Sequence, residues 1–81
     1  MDNTIEYRGV VYDTRHGGPF DRGTADSWYS REYNPHYFVG GSYMSQRIDF
    51  ADMTTQQINE YKAGYEFNEQ FGGKKEWGFD D

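Results

Sequence analysis

The chain has 81 residues, no cysteine and a formal net charge of −6, with 14 acidic residues against 8 basic ones. This length allows one small domain, which buries roughly 60–65% of the surface that its unfolded chain exposes. Without cysteine there are no disulfides and no thiolate metal sites. No apolar run approaches the roughly 20 residues that span a bilayer, and the N-terminus has no signal-peptide pattern. We therefore expect a soluble cytoplasmic protein with no membrane partner.

The acidic charge also bears on the class of partner. Proteins bind nucleic acid through Lys and Arg side chains that neutralise phosphates, so the charge argues against a nucleic-acid partner. An acidic surface favours a basic protein partner, or it only keeps the protein soluble. Aromatic residues make up 20% of the chain, and such large side chains can supply the core of a small domain.

Residues 1–17 are predicted to be an N-terminal strand region. Within them, the stretch IEYRGVVY at 5–12 is rich in β-branched and aromatic residues around Gly9. This composition is typical of a short strand or of one arm of a bulged hairpin.

A first helix is predicted over residues 19–32. Pro19 suits the first helical position, where its missing N–H costs nothing, and Asp21 is favourable in the first turn. The helix should stop before Asn34, because the residue ahead of a proline disfavours the α conformation.

Residues 36–53 are predicted to form a loop or hairpin that turns at Gly40-Gly41.

A second helix is predicted over residues 54–71. Thr54 and Gln57 fit a capping box at its start, and the glycine pair that follows it fits its end. Residues 72–81 are a polar tail.

The two predicted helices share one order of residue types: an aromatic residue, a glycine three positions later and a small polar residue four positions after that. The residues are Phe20, Gly23 and Ser27 in the first helix and Tyr61, Gly64 and Asn68 in the second. Because glycine lets two backbones approach closely, we expect the helices to cross at Gly23 and Gly64. Ser27 and Asn68 would then hydrogen-bond across the crossing.

Together these elements predict a single small α+β domain over residues 1–81. Two closely crossing helices should pack with a short strand or hairpin alongside.

The sequence gives little support for catalysis. There is no histidine pair at helical spacing and no recognisable metal-binding loop, so we expect no metal and no cofactor. No glycine-rich stretch has the lysine and the following helix that a phosphate-binding loop needs. We interpret His36 as a ring that fixes the corner after Pro35 by hydrogen bonds. The alternative is that His36 acts with a nearby carboxylate, and overall we expect a protein that is not an enzyme.

A protein interface is a better use of the aromatic residues than base stacking, because the basic residues are scattered among acids. Tyr, Trp and Arg dominate the binding energy of protein interfaces. The predicted interface residues are Tyr29, Arg31, Tyr33, His36 and Tyr37. Self-association is a further expectation, because exposed aromatics on so small a body favour being covered.

Four sequence blocks resemble a group of small uncharacterised proteins of tailed bacteriophages and prophages. The blocks are DRGTADSWYSR from residue 21, NPHY from 34, YKAGY from 61 and KEWG from 75. The resemblance covers roughly residues 12 to 78. It implies an accessory protein made in the cytoplasm of a bacterial host, and it implies no particular activity.

The chain is also similar, more faintly, to ribosome modulation factor, a two-helix bacterial protein. The matching features are Arg22-Gly23, the corner Pro35 to Tyr37 and the block Tyr61 to Tyr65. That family is strongly basic, as contact with ribosomal RNA requires, whereas this chain is acidic. Residues 38–53 would be an insertion.

Three functional hypotheses follow. The leading one is a non-enzymatic phage accessory protein that binds and modulates a host or phage protein. The second is a ribosome- or nucleic-acid-associated module. The third is a small hydrolase or ligand-binding protein that uses His36.

Overall fold

Two antiparallel hairpins and two α-helices make up the computed structural model, which describes residues 3–42 and 44–75. Strands β1 (Thr4–Tyr7) and β2 (Val10–Asp13) form the first hairpin. Strands β3 (His36–Phe38) and β4 (Arg47–Asp49) form the second. The predicted α+β class is confirmed, and the second hairpin lies within the predicted range 36–53.

The first hairpin corrects the prediction of a single strand or bulged arm. Tyr7 and Val10 are cross-strand partners, so only Arg8 and Gly9 connect the strands. Both have positive φ angles, 54° and 80°, as a two-residue type I′ turn requires. The Arg-Gly pair that looked like the middle of a strand is therefore the turn.

Helix α1 (Pro19–Trp28) starts at the predicted proline but ends four residues before the predicted position. Ser30 adopts a left-handed conformation with φ of 59°. Its N–H donates to Ser27 O at 3.0 Å, and the Arg31 N–H donates to Asp26 O at 2.7 Å. These two bonds form a Schellman motif, which closes a helix C-terminus. The chain leaves the helix there, so residues 29–34 are not helical.

Helix α2 (Thr55–Phe67) begins with the predicted capping box. The Gln57 N–H donates to Thr54 Oγ1 at 3.1 Å, and the Thr54 N–H donates to Gln57 Oε1 at 2.9 Å. A π-helical turn, Asn68–Gly72, continues the helix to the predicted end. A short 3₁₀ turn, Phe50–Asp52, precedes α2.

The two helices touch through their backbones at Gly23 and Gly64. A Cβ atom on Gly23 would lie 2.2 Å from Tyr61 O, and one on Gly64 would lie 2.1 Å from Phe20 O. Neither distance is compatible with a side chain. The close crossing predicted from the shared pattern is thus seen, with each glycine facing a carbonyl of the other helix.

The polar residues of the same pattern also meet. Asn68 Nδ2 donates to Ser27 Oγ at 2.8 Å, and Ser27 Oγ donates to Glu69 Oε2 at 2.6 Å. Lys74 Nζ donates to Ser27 O at 3.0 Å and pairs with Glu69. The bond with Lys74, and then the bond with Ser27, lower the pKa of Glu69. The start of the polar tail is therefore fastened to α1; residues 76–81 lie outside the described part.

The apolar core is small and largely aromatic. It centres on Tyr7, Phe20 and Ala63, with Tyr12 and Phe67 packed against it. The ring of Tyr12 stacks on Phe20 at 5.4 Å, and Tyr7 meets Phe67 edge-on at 5.5 Å. The first hairpin is thus held on the helices by aromatic contacts, and polar groups fill much of the remaining interior.

Candidate protein-binding surface

The most buried charged group of the described chain is Asp26, on the inner face of α1. It is 3% exposed. The hydroxyl of Tyr61, a residue with no exposed surface, donates to Asp26 Oδ2. Arg22 Nη2 lies 3.6 Å and Arg31 Nη1 3.5 Å from Asp26 Oδ1. A buried carboxylate is tolerated only when it is paired and hydrogen-bonded, and Asp26 meets both conditions.

His36, the first residue of β3, lies beside this carboxylate and is 3% exposed. Its Nδ1 is 2.7 Å from Asn34 O, and the Arg22 Nε–H donates to its Nε2 at 3.0 Å. A carbonyl can only accept and a guanidinium can only donate. These partners therefore assign a neutral ring with its proton on Nδ1.

The surroundings also favour the neutral form of His36. Burial lowers the pKa of His36 below 6.5, and the charges of Arg47 and Arg22 lower it further. The Asn34 carbonyl and the Asp26 carboxylate act in the opposite direction without reversing the effect. Protonation would place an N–H on Nε2 against the Arg22 N–H and break the bond between them.

Burial and the bond to Asp26 raise the pKa of the Tyr61 hydroxyl far above its usual range. Tyr61 therefore remains a hydrogen-bond donor at any ordinary pH. We call Arg22, Asp26, His36 and Tyr61 the buried polar cluster. Hydrogen bonds between its side chains connect α1 with α2, from Tyr61 to Asp26, and α1 with β3, from Arg22 to His36.

Above this cluster, three residues just after α1 form an exposed surface. The Arg31 guanidinium lies over the Tyr29 ring, 4.7 Å from its centroid. Tyr33 is 47% exposed, and the edges of its ring meet Tyr61 and Tyr65, each at 5.2 Å. We call Tyr29, Arg31 and Tyr33 the aromatic–arginine surface.

The backbone under this surface is fixed at several points. The Tyr65 hydroxyl donates to Arg31 O at 3.2 Å, and the Asn34 N–H donates to the Tyr61 hydroxyl at 3.1 Å. The Schellman motif holds its other end at Ser30. The segment that carries the surface is therefore anchored by hydrogen bonds although it belongs to no regular element.

Two of the five predicted interface residues are placed differently. His36 lies beneath the surface, so its prediction as an exposed interface residue is corrected: both ring nitrogens bond inside the protein. The corner interpretation of the same residue agrees with its bond to Asn34 O. Tyr37 is half-buried, as Tyr29 is, and it is placed differently in that its hydroxyl accepts from Gln57 Nε2 of α2 at 3.1 Å. Of the remaining three, Arg31 stacks on Tyr29, and Tyr33 lies two residues further along the same segment with its ring on Tyr61 and Tyr65.

An open pocket of about 320 Å³ lies next to this surface, over the buried polar cluster. Its lining is almost entirely polar or charged. The lining residues are Arg22, Asp26, Arg31, Glu32, Asn34, His36 and Arg47. Arg31 belongs both to the pocket and to the aromatic–arginine surface.

The sequence analysis missed the buried polar cluster as a unit. Arg22 and Asp26 stand four residues apart in α1 and pair with each other, but that spacing does not indicate that the pair faces inward. One signal was available, since Tyr61 belongs to the predicted helix crossing, where a buried hydroxyl needs a partner. Asp26 supplies that partner from 35 residues away.

Within residues 3–42 and 44–75, no group of three or more His, Asp or Glu side chains is placed to hold a metal ion. In the same described segments, no helix has the length and apolar character to cross a membrane.

No protein-family model, no curated protein and no solved structure gives a significant match to this chain.

Proposed function

We propose that this chain is a non-enzymatic binding protein whose aromatic–arginine surface contacts a partner protein. One observation carries the proposal: Tyr29, Arg31 and Tyr33 are exposed in part, yet they are held in place by stacking and by bonds to their backbone. Tyr and Arg are the residue types that most often dominate interface energies. Because they are already ordered, binding loses little side-chain entropy.

The state of His36 supports a binding role over a catalytic one. A general base needs a ring nitrogen that can reach a substrate. Here the Arg22 guanidinium occupies Nε2 and the Asn34 carbonyl takes the proton of Nδ1. The ring therefore serves the packing of β3 on α1.

The distribution of basic residues supports a protein partner over RNA. Arg8 pairs with Glu66, Arg47 with Asp49 and Lys74 with Glu69. A nucleic-acid site needs cations along one extended face, whereas Arg22, Arg31 and Arg47 line a single pocket that also contains Asp26 and Glu32. The net charge of −6 favours steering towards a basic partner. The resemblance to phage accessory proteins suggests that this partner is a host or phage protein in a bacterial cytoplasm.

The proposal is tested by affinity capture from a bacterial lysate with three forms of the protein. These are the wild type, a Tyr29→Ala/Tyr33→Ala variant and a Phe50→Ala variant as the matched control. Phe50 is an exposed aromatic residue outside the aromatic–arginine surface. Circular dichroism and thermal unfolding first establish that all three are folded.

One protein captured in stoichiometric amount by the wild type and the control, but lost with the double variant, is the expected result. Capture that is equal in all three forms contradicts the proposed surface. Ribosomes or RNA in the eluate, released steeply by salt, would support the ribosome-associated alternative instead.

A further inference from the structure

The distribution of arginine over this acidic protein is uneven. Three of the five arginines of the chain, Arg22, Arg31 and Arg47, line the one pocket of about 320 Å³ described above. They come from α1, from the segment after it and from β4, so the fold brings together residues from three separate places. The whole chain has a formal net charge of −6, so this concentration of arginine is a local exception.

The carboxylates of the pocket do not cancel its positive charge. Its lining includes Asp26 and Glu32, which gives two negative charges against three guanidinium groups while His36 is neutral. Asp26 lies at the bottom and is already bonded by the Tyr61 hydroxyl, Arg22 and Arg31. The lining residues therefore carry one positive charge in excess, and Asp49, which pairs with Arg47 from outside the lining, offsets that charge until an anion displaces it.

Two of the guanidinium groups are accessible. The side chains of Arg31 and Arg47 are 52% and 42% exposed, whereas that of Arg22 is 7% exposed and forms part of the pocket floor. Arg47 Nε bonds to Asp49 at 2.6 Å. Such an exposed pair contributes little to stability, so a better-placed anion can displace Asp49 from Arg47.

We infer that this pocket is an anion site that takes a single carboxylate or phosphate group between Arg31 and Arg47. The planar fork of a guanidinium matches either group with two parallel hydrogen bonds. The polar lining favours a small charged ligand over an apolar one. The inference goes beyond the proposed function, because a free anion would bind there whether or not the adjacent surface contacts a protein.

The test is a titration of ¹⁵N-labelled protein with sodium phosphate and, separately, with sodium acetate. Both are run at constant ionic strength maintained with sodium chloride. The amide signals of Asn34 and Arg47 are the readout. A saturable shift with a dissociation constant of about 1 mM is expected, the range of a single small charged ligand.

Two single substitutions make the titration specific. Arg47→Gln removes one accessible guanidinium and should weaken binding about tenfold, as loss of a charged hydrogen bond does. Arg8→Gln is the matched control, because Arg8 is exposed, pairs with Glu66 and does not line this pocket. It should keep the wild-type affinity.

Saturation with phosphate alone, with acetate alone or with both supports the site and tells which group it prefers. Shifts that stay linear with both anions, or that are equal in Arg47→Gln and Arg8→Gln, overturn it. The single variant Tyr33→Ala, which leaves the Tyr29 ring under Arg31, should still bind the anion, since Tyr33 does not line the pocket. Loss of a partner protein with retained anion binding would therefore separate the two proposals.

Discussion

Tyr61→Phe removes one oxygen atom from the centre of the protein and tests the buried polar cluster directly. The aromatic ring stays, so its contacts with Tyr33, His36 and Tyr65 are preserved. What is lost is the bond from the hydroxyl to the Asp26 carboxylate and the acceptor for the Asn34 N–H.

The size of the expected loss of stability follows from the burial of Asp26. A hydrogen bond to a charged group contributes about 1.5–3 kcal/mol. The remaining cationic partners of Asp26 lie 3.5 and 3.6 Å from Oδ1, so they do not replace the bond at Oδ2. Asn34 is exposed, so water can replace the acceptor for its N–H at little cost. We expect Tyr61→Phe to lower the free energy of unfolding by about 2–3 kcal/mol.

Urea denaturation followed by circular dichroism measures this change, with Tyr65→Phe as the control. The Tyr65 hydroxyl bonds to an exposed carbonyl at 3.2 Å, so its removal should cost less than about 1 kcal/mol. A double-mutant cycle with Asp26→Asn should give a coupling energy above about 1 kcal/mol between residues 26 and 61. A loss below about 0.5 kcal/mol for Tyr61→Phe would refute the reasoning.

Three further predictions concern the helix crossing, the buried histidine and the end of α1. Gly64→Ala should lower the free energy of unfolding, measured by urea titration, because overpacking against a backbone carbonyl costs about 1–3 kcal/mol. This cost exceeds the gain in helix propensity, which is at most about 1 kcal/mol. In the control Gly41→Ala, the added Cβ meets nothing within 4 Å, so the free energy of unfolding should change by less than about 0.5 kcal/mol. The pKa of His36 is lowered in the folded protein from its usual value of 6.5, so the contribution of His36 to stability should be complete well above pH 6.5 and fall as the pH drops through 6.5, where the unfolded chain takes up the proton before the folded protein does. His36→Gln should flatten this fall in urea titrations at several pH values, and an unchanged profile would contradict the assignment. Ser30→Gly should raise the melting temperature by relieving a left-handed conformation that costs about 1 kcal/mol, and a decrease would argue against the Schellman motif.

Local signals were enough to predict α2 and the helix crossing. The capping box at Thr54 and Gln57 depends on residues three apart, and the pattern around Gly23 and Gly64 depends on spacing within each helix. Such features are recognisable because their physical cause lies within one or two helical turns. The backbone contacts and the Ser27–Asn68 bond then follow once the helices pack.

The end of α1 and the first turn were missed for a different reason. Both use a residue other than glycine or asparagine at positive φ, Ser30 in one case and Arg8 in the other. Serine and arginine seldom adopt a left-handed conformation, so their presence does not indicate one. The prediction therefore extended α1 to residue 32 and treated Arg8 as part of a strand.

The buried polar cluster could not be predicted because its bonds are tertiary. Asp26 and Tyr61 are 35 residues apart, and Arg22 and His36 are 14 apart. Only the packed structure reveals that His36 is buried, that Arg31 stacks on Tyr29 and that the Tyr33 ring packs on Tyr61 and Tyr65. The interface residues are predicted from residue type, and residue type does not distinguish a buried ring from an exposed one.

The central claim is that Tyr29, Arg31 and Tyr33 form the face that binds a partner protein. The most direct test is isothermal titration calorimetry of the captured partner, after purification, against the wild type, Tyr29→Ala/Tyr33→Ala and Phe50→Ala. Loss of interface residues that dominate the binding energy costs at least about 2 kcal/mol, or about thirtyfold in the dissociation constant. We predict that loss for the double variant and less than about a threefold change for Phe50→Ala. Equal dissociation constants for all three proteins would contradict the claim.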